Sequence, residues 1–253
     1  MFNIKERIYS GENVIGTMLT IFDNPDIAKL IQVSGFDFFI IDCEHGNFDY
    51  TKVAGILAVA REAGIPGFVR VPEARREVVL KYMDMGARGL LLPNTDTPEQ
   101  AQALVEYSKY APLGNRGMSL NRAHSGFVNP ADPFAYMRKA NEETVLMVQI
   151  ESPTGLANIE HILDVEGIDV AFVGPNDLSQ SMGILGEFDN REFIAALERI
   201  VEAAKKRNKP CGVHFGDLKW VKYWMEKGMN INLWSSDMKL LCDAAREGLK
   251  QLR

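Results

Sequence analysis

The strongest constraint on this chain is a rhythm. Short apolar runs alternate with longer amphipathic stretches, and the alternation repeats eight times. The runs cover residues 13–20 (NVIGTMLT), 37–42 (DFFIID), 67–71 (GFVRV), 88–93, 144–151, 168–174, 210–214 and 230–235. Each is rich in β-formers and bounded by turn residues, the pattern of a strand buried on both faces. Helical spacing fills the intervals, with Asn24 as a cap and Pro25 at a first helical position, and with Thr97-Pro98-Glu99 opening another helix. One long loop, 111–130, breaks the rhythm, and a short helix is expected from Ala131. Strand–helix alternation implies a parallel sheet covered on both faces. Eight such units in 253 residues are the numbers of an α/β (β/α)8 TIM barrel, here expected as a single domain over 1–253. A doubly wound open sheet is the alternative, but no G-x-G-x-x-G follows the first strand.

Composition excludes some partners. The net charge is −6 and the basic runs are short, Arg75-Arg76 and the KKRNK stretch at 205–209. No patch could follow a phosphate backbone, so no nucleic-acid partner is expected. No run of roughly 18 apolar residues exists to span a membrane. The N-terminus lacks an apolar signal core. Three scattered cysteines, Cys43, Cys211 and Cys242, make no disulfide framework and suit a reducing compartment. A cytoplasmic protein is the expectation.

The second run ends abruptly: Phe38-Phe39-Ile40-Ile41 gives way to Asp42, Cys43, Glu44, His45 and Gly46. In a (β/α)8 barrel the active site sits at the C-terminal ends of the strands. Reading the other ends gives Arg70, then Gln149-Ile150-Glu151, then Gly174-Pro175-Asn176-Asp177, then His214. Carboxylates, an imidazole, a guanidinium and an amide thus converge on one mouth. Singly, each has a plainer reading. His45 is a turn residue, Arg70 a structural ion pair, Asp177 a first-turn helix acid and His214 a core histidine. Glu151 and Asp177 would suit a hard divalent cation, Mg²⁺ or Mn²⁺, completed by water and substrate. Zn²⁺ sites more often include histidine. The GPNDLS segment also offers free backbone N–H groups to a substrate carboxylate.

Several separated motifs resemble the HpcH/HpaI aldolase family: IDCEHGNFD, VRVPE, YMDMGARGLLLPNTDTPEQA, PLGNRG, VQIESPTGLANIEHI and VEGIDVAFVGPNDLSQSMG. The resemblance covers nearly the whole chain. It implies a class II aldolase that cleaves or forms a 4-hydroxy-2-oxo acid from pyruvate, or another 2-oxo acid, and an aldehyde, through a metal-bound enolate. His45 would be the base, Asp84 would raise its basicity, and Arg70 would stabilise the enolate oxygen. Gln149, Asn176 and Asp177 would bind substrate. Glu151 and Asp177 would hold Mg²⁺, Mn²⁺ or Co²⁺. In the similar family the terminal helix packs on a neighbouring subunit, so a homo-oligomer, a hexamer, is expected. Two departures, His124 in its loop and Trp234 at the eighth strand, are expected on the aldehyde side of the pocket. No lysine falls at a strand's C-terminal end, which disfavours a Schiff-base route. The rivals are a lyase acting on a phosphorylated or coenzyme A substrate, and a barrel that only binds.

Overall fold

Every apolar run becomes a strand in the computed structural model, which describes residues 3–253. The strands are β1 (Val14–Leu19), β2 (Phe38–Asp42), β3 (Gly67–Arg70), β4 (Gly89–Leu92), β5 (Val145–Ile150), β6 (Val170–Val173), β7 (Cys211–Phe215) and β8 (Ile231–Ser236). They close in sequence order into a parallel barrel, with β1 pairing both β2 and β8. The expected (β/α)8 architecture is therefore the one observed.

The helices are α1 (Ile4–Tyr9), α2 (Ile27–Val33), α3 (Tyr50–Ala63), α4 (Arg76–Asp84), α5 (Pro98–Ser108), α6 (Pro133–Glu143), α7 (Pro153–Ala157), α8 (Ile159–Asp164), α9 (Pro175–Ser181), α10 (Arg191–Lys206), α11 (Leu218–Glu226) and α12 (Asp237–Leu252). Local chemistry sets their ends. Thr97 and Gln100 form a reciprocal capping box at α5, and Gly64 ends α3 at φ +73°. The Asn24 expectation needs correction. Its side chain accepts from the Asp26 N–H in a preceding turn, and α2 begins only at Ile27.

Strand side chains alternate between two cores. Phe39, Ile41, Val69, Leu90 and Val148 face the helices. Phe38, Ile40, Phe68, Leu91, Met147, Phe172 and Leu233 fill the barrel interior. Phe38 and Phe68 meet edge-to-face at 5.7 Å between ring centres. Truncating Phe38 to alanine would cost about 3–5 kcal/mol. The interior is closed below by α1, whose Ile4 and Ile8 join the same cluster. No helix among the described residues is long and apolar enough to cross a membrane.

Candidate active site

The polar mouth is the last layer of the interior pattern. On β2, Phe38 and Ile40 point inward, so period two carries Asp42 inward as well. The same step runs from Phe68 to Arg70, from Met147 to Gln149, and from Phe172 to Gly174. Apolar residues thus fill the barrel until the strands reach its C-terminal rim, where the stripe turns polar.

Arg70 organises this layer. Its Nε donates to Asp42 Oδ1 at 2.9 Å and its Nη2 to Oδ2 at 2.8 Å. Nη1 lies 3.1 Å from Glu44 Oε2. The fork is therefore held at three nitrogens, and a guanidinium with five N–H groups keeps two for a ligand. Asp42 also accepts from the backbone N–H groups of Glu44 and His45, which fixes the loop after β2. Gly46 completes that turn: a Cβ there would stand 2.2 Å from the Asp42 carbonyl oxygen. Burial works to raise Asp42, but Arg70 and the two N–H bonds outweigh it and hold the carboxyl below its ordinary range.

Glu151 behaves in the opposite way. It is 4% exposed, and its carboxylate accepts from the Asn94 backbone N–H at 2.9 Å and from Gln149 Nε2 at 2.5 Å. Burial drives its pKa up to about 7; the Asn94 bond opposes that, and the charges of Asp177 and Glu44 add to it. Burial also raises Glu44 against the pull of Arg70. The mouth thus gathers more carboxylate charge than its own guanidinium neutralises. Gln149 leaves its Oε1 buried without a partner among the described residues. Gly174 lets the backbone close in, since a Cβ there would lie 2.0 Å from Glu151 Oε1. A buried, under-neutralised set of hard oxygen donors fits a divalent cation. Among the described residues no group of three or more His, Cys, Asp or Glu side chains assembles as a ready cage.

His45 stands on the rim with its side chain 71% exposed and Nε2 3.8 Å from Glu44 Oε2. Asn176 and Asp177 are exposed in the first turn of α9, which starts at Pro175 and whose N-cap, Gly174, offers no side chain. Their N–H groups lie among the first donors of the helix, which have no intrahelical partner. His214 donates or accepts at Nε2 with the Ser235 carbonyl at 2.9 Å. As that partner is a carbonyl, Nε2 carries the proton, and Nδ1 is left as an acceptor. Burial lowers the His214 pKa, keeping the ring neutral.

Two expectations need correcting, and a third, the pairing of Asp84 with His45, is not met within one chain. Asp84 ends α4, near the N-terminal face of the barrel, where it accepts from Arg116 Nη2 at 2.8 Å and lies 3.6 Å from His124 Nε2. A helix after a strand runs back down the barrel, so its last residue arrives at the floor. His124 belongs to that same floor cluster, bonded to Tyr136 and the Ser119 carbonyl, not to the mouth. Trp234 is off by one position of parity: Leu233 points inward, so Trp234 faces outward and packs against Phe36 at 6.1 Å.

Sequence reasoning also left residues unassigned. Asp42 and Glu44 were visible as polar residues but not as Arg70's partners. Asn94 joins Glu151 and Glu44 through a left-handed backbone at φ +48°, which leaves no periodic signal. Asp237 accepts from the N–H groups of Thr20, Ile21 and Phe22 and tethers the loop after β1 beside the mouth.

The chain as a whole is similar to known proteins. The family model for HpcH/HpaI aldolase/citrate lyase matches residues 18–244. A hydroxypyruvate/pyruvate aldolase of Deinococcus radiodurans is 33% identical over 242 residues, covering 96% of this chain and 86% of that protein. A 5-keto-4-deoxy-D-glucarate aldolase of Klebsiella pneumoniae is 32% identical, over 88% of this chain and 89% of that protein. The crystal structure of an HpcH/HpaI aldolase from Desulfitobacterium hafniense superposes with a TM-score of 0.94 at 31% identity, over 98% of this chain and 96% of that one.

Proposed function

The chain belongs to the HpcH/HpaI aldolase/citrate lyase family, and from that membership we propose that its mouth cleaves and forms 4-hydroxy-2-oxo acids, with pyruvate and an aldehyde as the two halves. It is an aldolase, a carbon–carbon lyase of the divalent-metal-dependent class. The observation that carries the site reading is Glu151: a buried carboxyl set beside the carboxylates of Asp177 and Glu44, with Arg70, already committed to Asp42 and Glu44, as the cation that acts on it.

In this reading Glu151 and Asp177 hold Mg²⁺ or Mn²⁺, with Co²⁺ as a further candidate. The ion, when bound, supplies Lewis acidity toward a 2-oxo acid. The backbone N–H groups of Asn176 and Asp177 receive the substrate carboxylate, and Gln149 contacts the oxo-acid half. His45 accepts the proton of the C4 hydroxyl. The C3–C4 bond breaks, the aldehyde leaves, and the electron pair passes into the C2–C3 enolate. The two N–H groups that Arg70 has left share the enolate oxygen's charge, held in place beforehand by Asp42 and Glu44. Return of the proton from His45 to C3 gives pyruvate.

The assembly belongs to the same proposal. In α12 only Asp237 is buried, while Leu241 and Leu252 stand 58% and 84% exposed. A homo-oligomer, expected as a hexamer, would cover that face. It is also the only way Asp84 comes near a His45, since the two lie at opposite ends of one barrel. The three free cysteines suit a cytoplasmic setting.

The test is retro-aldol turnover with a panel of 4-hydroxy-2-oxo acids after chelation. Activity should vanish and return with Mg²⁺, Mn²⁺ or Co²⁺, and borohydride with pyruvate should leave no adduct. Full turnover in metal-free protein, or a lysine-linked pyruvyl mass, sinks the reading.

A further inference from the structure

A second cavity, of about 280 Å³, opens near the opposite face of the barrel, below the starts of β3 and β4. Arg61, on the last turn of α3, lines it. Its Nη1 is buried, and no acceptor among the described residues reaches it. Arg116 lines the same cavity with a side chain only 3% exposed. Its Nη2 is committed to Asp84, but its Nε is also buried without a partner. The remaining wall is mixed: Leu57, Ile65 and Met83 make an apolar side, and Glu143, paired with Arg88 and Lys139, stands on the α6 side. Gly86, at φ +97°, keeps the space open: a Cβ there would come within 3.3 Å of Arg61 Nη1.

Desolvating a guanidinium N–H without an acceptor costs free energy, and folded chains seldom leave such donors unanswered. Two donors from two arginines in one cavity call for an anion. A planar carboxylate matches the guanidinium fork best. The apolar side adds a requirement that an inorganic ion does not meet. We propose that this cavity binds a small organic carboxylate, its head on Arg61 and the free Nε of Arg116 and its hydrocarbon body against Leu57, Ile65 and Met83. Within one chain the site is separate from the mouth, and its test, a direct binding measurement, does not depend on the reaction proposed there.

Isothermal titration of the intact protein decides it, with butanoate and benzoate as probes and butan-1-ol and inorganic phosphate as controls. Saturable binding is expected for the carboxylates, none for the alcohol, and markedly weaker binding for phosphate. Arg61→Gln should weaken carboxylate binding roughly tenfold or more, the value of a charge-assisted contact, and leave turnover at the mouth unchanged. Ala140→Phe, which fills the cavity from α6, should abolish binding with Arg61 intact, and it carries the test if the Arg61 variant does not fold. Carboxylate binding that survives both substitutions overturns the proposal. So does the absence of saturable binding, or phosphate binding as tightly as the carboxylates.

Discussion

At the floor of the barrel Lys109 is 1% exposed, and its Nζ donates to the carbonyl oxygens of Asn141 and Thr144 at 2.6 and 2.7 Å. Nearby Asp169 accepts from the Leu146 N–H, from the Tyr9 hydroxyl and from Lys5. At the mouth Glu151 is buried almost as deeply, yet the charges facing it include Asp177 and Glu44. The Lys109 and Asp169 cluster of the floor answers its buried charges with the chain's own groups, the arginine cavity on the same face apart, whereas the mouth leaves carboxylate charge in excess. A group that is fully answered stabilises the fold and has nothing left for a ligand. A group left partly unanswered costs stability and is available for chemistry. Substitutions at the two ends should therefore separate activity from stability.

The largest effect is expected at the mouth. His45→Ala should lower turnover by roughly 10²–10⁴-fold, the range for loss of a general base. Its side chain is 71% exposed, so the melting temperature should hardly move. Steady-state kinetics with calorimetry would read both quantities from one preparation. A near-normal rate would return His45 to the status of a turn residue.

The mirror experiment is Asp169→Ala at the floor. Removing one partner of a buried ion pair strands the others and costs about 3–5 kcal/mol. Denaturant unfolding should show that loss, while turnover per folded molecule stays near normal. A large fall in turnover with unchanged stability would mean that the Asp169 cluster is not purely structural.

This division also explains what the sequence could reveal. The eight strands were legible because burial on both faces leaves unbroken apolar runs. The mouth was legible as far as strand ends mark it: Arg70 and Gln149 each stand two residues beyond an inward apolar residue, and Glu151 two beyond Gln149. Contacts set by loops were not legible. Nothing near Asn94 announces its bond to Glu151, and Asp237 is 217 residues from the Thr20 N–H it holds. Helix ends misled for a geometric reason. Asp84 lies only 14 residues beyond Arg70 in sequence, but α4 carries it the length of the barrel.

The next effect is smaller and depends on pH. Glu151 sits at about 7 in the folded chain against an ordinary 4.5. In the metal-free protein its protonated form favours folding, fully so below pH 4.5, and that contribution is lost as pH rises through 7. Cation binding needs the carboxylate, so affinity runs the other way. Titration with Mn²⁺ should show constant affinity above pH 7 and about a tenfold loss for each unit below it, as one proton competes for the site. Affinity that stays flat down to pH 5.5 would remove Glu151 from the metal site and weaken the contrast between the two ends.

The smallest effect tests the parity rule on which the contrast rests. Trp234 and His214 both lie near the upper ends of adjacent strands, and either could be taken for a pocket residue from sequence. Trp234 faces outward onto Phe36, whereas His214 presents a neutral ring whose Nε2 is held by Ser235. Trp234→Phe keeps an aromatic surface in the outer core and should cost about 1 kcal/mol or less. It should leave relative kcat/KM values across an aldehyde panel unchanged. His214→Leu removes an inward acceptor and should alter those ratios, most for aldehydes that carry a hydroxyl. β8 leaves its alternation at a bulge beside Ser235, φ +62°; if Trp234→Phe reshuffles the panel and His214→Leu does not, the inward placing of Leu233 and outward placing of Trp234 below that bulge fail as well. The assignment of inward residues at the mouth would then have to be redrawn from that strand onward.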